Sequence, residues 1–571
     1  MYSYLAFPDM RDDLLTDEVL VEHFEDVRRR TTDERAPLRL RWNRSFFREL
    51  RALHTRLFDR YDWSDYALVG FTLNYGQTVA SLYAAREIKK RNPRCKVIVG
   101  GAEGTGQVGA SLVEHFDEID YACNGEGERP LVELVKLLRA TGGEPRLPQL
   151  AAVGGLIYEN HYGAVLQNRP NQVADLSTLP TPDYDEYFAA IEGFGVPEDE
   201  IVSCLPIEAS RGCYHACSFC ALTAQWETFR NFGAEQVART MDELSSRHKI
   251  LEFFFVDNIT PTNCEEIFER VAQSGKDYGF FYEARANLPR RTFEIMKKAG
   301  LERVQIGIEA LSTSMLRKFH KKAKVIHNIQ AMKNCEELEI LMSANLITNH
   351  FLSSARDIEE TVEAIEYCTA YFPPNGSSTF ALVMGAPDYE QGEQRGYELR
   401  GNASFYRRNW PEPLFQSLQL PMKDFEPLGE PVDWSGIEER VAQWKRDYFE
   451  FKRDNPTNQK MLVYYDGGDF LRIEDRRPGL ESTHVLDATE RGVYLLSKQI
   501  KPLTAFGRAL GHLPPGRVAA IVDDLVARKL MYREGDFVLS LAMTPTPRFE
   551  ASEGAGAVSE RGSRAHLRIA R

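Results

Sequence analysis

The chain has 571 residues, a length that suits about three or four domains. Apolar residues make up 43% and charged residues 27% of it, ordinary values for a folded globular protein, and the net charge of −14 excludes the basic footprint of a nucleic-acid binder. There is no apolar run of about 18 residues to span a bilayer, the start Met1-Tyr-Ser-Tyr-Leu-Ala-Phe-Pro-Asp-Met10 lacks the basic and apolar segments of a signal peptide, and nine irregularly spaced cysteines do not make a disulfide framework, so a reducing, cytoplasmic setting is expected.

Residues 1–190 read as one α/β domain behind a polar helical preface. Its strand signals are Ala67–Thr72, Lys96–Gly100, Ile119–Cys123 and Gly154–Tyr158, with helix patterns between them. That alternation predicts a parallel sheet of Rossmann-like type. Glycine-bearing loops follow the first three strands, at the end where open α/β sheets bind ligands. The prolines of Leu179-Pro-Thr-Pro-Asp183 mark a boundary.

A second β/α series is expected over 200–395. Its strands are the segment before Glu208, Leu251–Val256, Phe280–Ala284, Arg303–Ile308, Met342–Leu346 and Thr379–Leu382. Six parallel units predict a partial (β/α)6 barrel with its chemistry at the carboxyl ends of the strands. Residues 396–455 read as an irregular connector. Residues 456–545 read as a small α+β, winged-helix-like domain: a hairpin around Asp466-Gly-Gly468, two helices, and a second hairpin at Glu534-Gly-Asp536. The Gly-, Ser- and Arg-rich 546–571 reads as a disordered tail.

The most specific chemical signal is Glu208-Ala-Ser-Arg-Gly-Cys-Tyr-His-Ala-Cys-Ser-Phe-Cys220. Cys213, Cys217 and Cys220 are spaced C-x3-C-x2-C, with no fourth cysteine at comparable distance. Closed four-iron clusters take four thiolates; three thiolates on one loop leave an iron free for another ligand. The alternative is structural zinc on the same thiols with His215 as fourth ligand.

The stretch Arg211–Cys220 resembles the signature loop of radical S-adenosylmethionine (SAM) enzymes. With the α/β domain before it, the chain resembles the cobalamin-dependent radical SAM C-methyltransferases, and among these the RiPP maturation radical SAM protein 1 class and the tryptophan 2-C-methyltransferases. Gly100-Gly-Ala-Glu-Gly104, Gly125-Glu-Gly-Glu128, Val256-Asp-Asn-Ile259, Phe281-Tyr-Glu-Ala-Arg-Ala-Asn-Leu288, Gln305-Ile-Gly-Ile-Glu-Ala-Leu-Ser312 and Leu539-Ser-Leu-Ala542 also carry the likeness, which covers roughly 65–543. The chain departs from the pattern at Thr348-Asn-His-Phe-Leu-Ser-Ser354, where the family has a Gly-Phe-Pro-Gly-Glu-like turn.

The resemblance implies three cofactors: a [4Fe-4S] cluster on Cys213, Cys217 and Cys220, S-adenosylmethionine, and cobalamin. It implies that Phe219 packs near the adenine and that Asp257 and Asn258 touch the methionine end. Glu283 and Arg285 would be catalytic in the mouth; Glu283 would either accept from the ligand's ammonium or approach the open iron. Gln305 and Glu309 suit the ribose or carboxylate. Asn345 and His350 carry the weakest case, and His350 reads as a satisfied surface histidine. Cobalamin would lie on Thr72, Leu73, Asn74, Tyr75, Gly76, Gln77 and Thr78, on Gly100, Gly101, Glu103 and Gly104, and on Asn124, Gly125, Glu126, Gly127 and Glu128. Cobalt would have no protein histidine, since His23, His54, His115 and His161 all lack an Asp-x-His-x-x-Gly context.

The implied reaction moves a methyl group from SAM, by way of cobalamin, to a carbon of a peptide or amino acid such as tryptophan, in peptide natural-product biosynthesis. One rival is a radical enzyme that rearranges or cyclises its substrate. Another is a non-enzymatic metal- or corrinoid-binding regulator. Implied partners are a small-molecule or peptide substrate, a leader peptide at the C-terminal domain, and a flavodoxin- or ferredoxin-type electron donor for a radical route; neither nucleic acid nor membrane is expected.

Overall fold

The computed structural model describes residues 6, 44–74, 76–195, 204–226, 228–392, 396–455, 459–511, 513–514 and 516–545. Tyr75, nearly all of the expected helical preface and the expected tail fall outside the described residues. The chain forms two compact units, 1–368 with 372–445, and 369–371 with 446–571.

In the first unit, β1 (Leu68–Thr72), β2 (Lys96–Gly100), β3 (Tyr121–Cys123), β4 (Leu156–Glu159) and β5 (Val165–Gln167) form one sheet in sequential order. The β1–β2 and β2–β3 pairs are parallel, as alternation with helices requires. The expectation of an all-parallel sheet fails at β4, which runs antiparallel to β3 and then pairs antiparallel with β5. A tight turn explains the second pairing: the Asn160 side chain accepts from the backbone of Tyr162 and Ala164, and Gly163 takes φ 78°. Apolar side chains cover both faces. Val97 and Val99 pack with Val79, Leu82 and Leu112 on one side, while Ile98 and Tyr121 pack with Leu134 and Leu138 on the other. The alternation along β2 is the period-2 signature of a strand buried on both faces.

The second array starts at β6 (Cys204–Ile207). Strands Glu252–Phe255, Gly279–Arg285, Leu301–Gly307 and Leu341–Ser343 extend it in parallel, and a parallel pair, Asn345–Thr348 with Gly376–Thr379, continues it through a bridge between Glu309 and Leu346. The expected strand Met342–Leu346 is broken at Ala344 into two short ones. The expected strand Thr379–Leu382 straddles two sheets: Phe380 buries its ring, and Leu382–Val383 then pairs antiparallel with Met422–Pro427.

Residues 396–455 are not an irregular connector. Tyr397–Asn402 and Met422–Pro427 form an antiparallel pair with a bulge at Leu399–Gly401, and Gly401 takes φ 98°. The bulge breaks the period-2 pattern that marks a strand in sequence. Trp410, Phe415, Leu418 and Leu420 join the core of the first sheet. Ser435–Asp454 is a 20-residue helix that buries Ile437, Val441, Trp444 and Tyr448 at helical spacing.

In the second unit, Leu462–Asp466, Leu471–Asp475 and Ser482–Leu486 form an antiparallel sheet. Helices Ala488–Leu496 and Arg517–Ala527 follow, and then the hairpin Met531–Glu534 with Phe537–Ser540. Arg477 and Asp475, both almost fully buried, pair at 2.5 Å within it. No described helix is long and apolar enough to cross a membrane.

Candidate functional site

The cysteine loop leaves β6 at the carboxyl end of the second array. Gly212 takes φ 87° there, and a Cβ on it would stand 2.8 Å from the Thr228 carbonyl, so only glycine fits the turn. Asp257 fastens the approach to the loop. Its carboxylate, 2% exposed, accepts from the Ala209 amide at 3.0 Å and the Ser210 hydroxyl at 2.5 Å. Burial outweighs those bonds and pushes its pKa up to about 7. Asp257 thus anchors the approach to the cysteine loop. Asn258 follows it, half-buried.

Cys217 is buried, and Cys213 and Cys220 are half-buried. Burial raises the Cys213 thiol and pushes Cys220 up to about 11. Two cations oppose that rise: Arg285 and Lys321 both act to lower Cys213. Arg285 is 8% exposed and sets Nη1 3.7 Å from the Cys217 sulfur, while its buried Nε and Nη2 have no partner among the described residues. Lys321 is paired with Glu309 at 2.8 Å and lies 5.9 Å over the ring of Phe219. Glu309, at φ 58°, holds a left-handed backbone that non-glycine residues seldom adopt. Gln305 approaches Glu283 at 3.4 Å, and burial and the Glu309 charge both raise the Glu283 pKa.

The structure therefore gathers Cys217, Phe219, Glu283, Arg285, Gln305 and Glu309 in one mouth, and adds Lys321. Sequence reasoning missed Lys321 because it sits in a basic stretch, Lys321-Lys322, that reads as a solvated turn. It also misplaced His350, whose side chain is fully buried against Asp388 at 3.2 Å. Asn345 is exposed on its strand.

The donor set suits a polynuclear cluster: three thiols on one loop, with a buried guanidinium and an ammonium to balance their negative charge when deprotonated. Among the described residues no group of three His, Cys, Asp or Glu side chains is already arranged to hold a metal ion. His215 is held neutral, its pKa lowered to about 4 by burial and by Arg285, Lys322 and Lys321.

A cavity of about 490 Å³ lies between the loops of the first sheet and the approach to the cysteine loop. Thr72, Asn74, Gly101 and Gly125–Glu128 line it from one side; Glu208, Arg211 and Trp226 line it from the other. Arg211 spans the two, pairing with Glu128 at 2.6 Å, Glu208 at 2.8 Å and Glu126 at 3.5 Å. Arg230 holds Glu126 at 2.6 Å. Glu126 and Glu128 are thus ties between the loops as well as cavity wall.

The remaining loop residues divide. Leu73 is buried in the core of the first sheet, and its amide takes the Gly100 carbonyl at 2.7 Å. Asn124 accepts from Thr105 at 2.9 Å, and Gln77 folds back to accept from the Asn74 amide at 3.0 Å. Glu103, its pKa raised by burial, accepts from the Thr78 hydroxyl; with Gly76 and Trp410 these two line a separate cavity of about 190 Å³. Gly101 and Gly104 serve chain packing: Cβ atoms there would stand 2.7 Å from the Leu73 and Gly100 carbonyls.

Residues 207–391 match the radical SAM superfamily. The chain is 27% identical over 295 residues to the hopanoid C-3 methylase of Methylococcus capsulatus, covering 49% of this chain and 53% of that one. It is 26% identical over 300 residues to the anaerobic magnesium-protoporphyrin IX monomethyl ester cyclase of Cereibacter sphaeroides, covering 49% and 47%. The chain spans about half the length of these curated relatives. Among solved structures it resembles the cobalamin-dependent SAM radical enzyme OxsB with aqua-cobalamin and SAM bound (TM-score 0.52, 18% identity, 71% of this chain and 61% of that one). It also resembles the radical SAM methyltransferase TsrM of Kitasatospora setae with tryptophan and a SAM analogue bound (TM-score 0.53, 16% identity, 69% and 81%). At such identities the likeness is one of fold. The chain carries an α/β radical SAM domain, the class whose cofactors are a [4Fe-4S] cluster and S-adenosylmethionine. Its wider fold is similar to those of OxsB and TsrM.

Proposed function

We propose that this protein is a cytoplasmic, cobalamin-dependent radical SAM methyltransferase that moves a methyl group from SAM to a carbon of a peptide or amino acid, such as tryptophan, in peptide natural-product biosynthesis. The observation that carries the reading is the shared 490 Å³ cavity, whose far wall, Glu208 and Arg211, leads directly into the three-cysteine loop. A corrinoid held there by Thr72, Asn74, Gly101 and Gly125–Glu128 would lie beside the cluster site. Residues 456–545 would receive a leader peptide, and a flavodoxin- or ferredoxin-type protein would supply electrons.

Cys213, Cys217 and Cys220 would hold the cluster. When bound, the cluster, SAM and cobalamin together supply one-electron cleavage and methyl-carrier chemistry. Arg285, buried with two free donors, is suited to bind and orient a carboxylate. Glu283, its pKa raised by burial and by the Glu309 charge, is suited to hold a proton at its carboxyl group more readily than an exposed glutamate. Phe219 forms an apolar wall that excludes water from the ligand.

Cyclases among the relatives favour a second reading, a radical cyclisation or rearrangement without methyl transfer. Anaerobic protein supplied with iron, sulfide, cobalamin, deuteromethyl-SAM and candidate peptides or tryptophan separates the two. The proposal expects S-adenosylhomocysteine and a substrate carrying the labelled methyl group. 5′-Deoxyadenosine with an unlabelled, altered substrate favours the second reading. No SAM consumption under any of these conditions refutes both.

A further inference from the structure

The turn where this chain departs from the family pattern contains His350, whose ring nitrogens both find polar partners inside an aromatic box. His350 Nε2 lies 3.2 Å from Asp388 Oδ2, and the Leu352 amide donates to Nδ1 at 3.1 Å. Because Nδ1 accepts, the ring proton sits on Nε2 and is donated to the carboxylate. Phe319, Phe351 and Phe380 surround the ring, with centroids at 5.2, 4.2 and 4.4 Å. A phenylalanine would fill that box as well as a histidine. What the imidazole adds is direction.

That direction leads to the cysteine loop. The backbone amide of Asp388 donates to the Ser218 carbonyl at 2.7 Å, and the Ser218 amide donates to the Phe319 carbonyl at 3.0 Å. Ser218 stands between Cys217 and Cys220. Asp388 is itself held from a second side, its carbonyl accepting from the Tyr397 hydroxyl at 2.9 Å. The thiol loop is therefore gripped on both faces of one residue, by two groups that His350 touches.

We propose that His350 and Asp388 are positioning residues for the three-thiolate site. Their buried hydrogen bond fixes the Asp388 backbone and, through Ser218, sets where the Cys217 and Cys220 sulfurs stand. The inference rests on reading the cysteine loop as a cluster site.

The test uses the full chain, prepared anaerobically with iron and sulfide, as wild type, His350→Phe, Asp388→Leu and Asp388→Asn. His350→Phe keeps an aromatic ring and removes the hydrogen bond to Asp388 and the one from the Leu352 amide. Asp388→Asn keeps an acceptor for Nε2–H and the backbone grip. The readouts are iron and sulfide per chain, the electron paramagnetic resonance spectrum of the reduced cluster with and without SAM, and its midpoint potential. The expected result is a changed spectrum or potential, or iron content at least halved, in His350→Phe and Asp388→Leu, with Asp388→Asn close to wild type. Unchanged spectrum and potential at full iron load in both nonpolar variants overturn the proposal. So does failure of both to fold while Asp388→Asn folds, which makes the pair a stability element only. A wild type that takes up no cluster overturns the cluster reading itself, so the two failures are seen in different samples.

Discussion

Asp257 should make the protein lose stability between mildly acidic and neutral pH, and the size of the loss follows from its burial. The carboxyl group titrates at about 7 in the folded chain, against a model value of 3.8. Between those values the folded state keeps a proton that the unfolded state has lost, so stability falls as pH rises and the loss is complete above the folded pKa. From about pH 5.5 to pH 7 this spans roughly 1.5 units at about 1.4 kcal/mol each, or about 2 kcal/mol. The first unit, 1–368 with 372–445, holds about 440 residues. At roughly 2 cal/mol/K of unfolding entropy per residue, the loss appears as a fall of about 2 °C in its melting temperature. Asp257→Asn removes the titration while keeping an oxygen acceptor for Ala209 and Ser210. Thermal melts of both proteins from pH 5.5 to pH 8.5, in matched buffers, give a difference curve in which every other group cancels. The variant should gain about 2 °C on the wild type between pH 5.5 and pH 7, with the difference levelling off above about pH 7. Parallel melting curves across this range, or a difference that keeps growing above pH 7.5, refute the argument that burial outweighs the two hydrogen bonds.

Gly109→Ala places a Cβ 2.2 Å from the Gly104 carbonyl; backbone must shift, costing about 1–3 kcal/mol, and an optical titration should find cobalamin bound at least tenfold more weakly. Arg211→Met leaves Glu128 and Glu208 without the cation between them; a loss of about 1–3 kcal/mol is expected for a partly buried network, read as a lower melting point and faster proteolysis near the cysteine loop. Alanine at Cys213, Cys217 or Cys220, singly, should abolish the visible charge-transfer absorption and most of the bound iron. Cys335→Ala, at a buried site on the helix Val325–Glu337, should leave both unchanged.

Much of the fold was legible because its strands are locally unambiguous. Lys96–Gly100 is an apolar run between a charged helix end and a glycine loop, and the structure begins and ends β2 at the same residues. Antiparallel β4 was not legible, since pairing direction depends on the connection and not on the strand's own composition. The bulge at Leu399–Gly401 hid a strand pair by interrupting alternation. The stripe Ile437, Val441, Trp444 was visible at helical spacing, and only the polar residues around it made 435–454 read as irregular. At the site, the three cysteines announce themselves by spacing. The roles of Asp257, Glu126 and His350 do not, because each is set by a partner 38 to 104 residues away.

Those distant partners share a logic. The chain carries a net charge of −14, yet around the thiols it places Arg285, Lys321 and, two residues before Cys213, Arg211. Lys321 and Arg211 are matched by carboxylates, whereas Arg285 is buried with two donors that no described residue accepts. An unsatisfied buried donor costs about 1–3 kcal/mol, and a methionine or leucine would fill the same strand end without that loss. A guanidinium held there at such expense is consistent with an anionic acceptor that arrives from outside the chain: the sulfur of a cluster on one side, the carboxylate of its ligand on the other. On the proposed reading the mouth would act as a preorganised field as much as a set of contacts, with Arg285 placed to answer the negative charge that enters it.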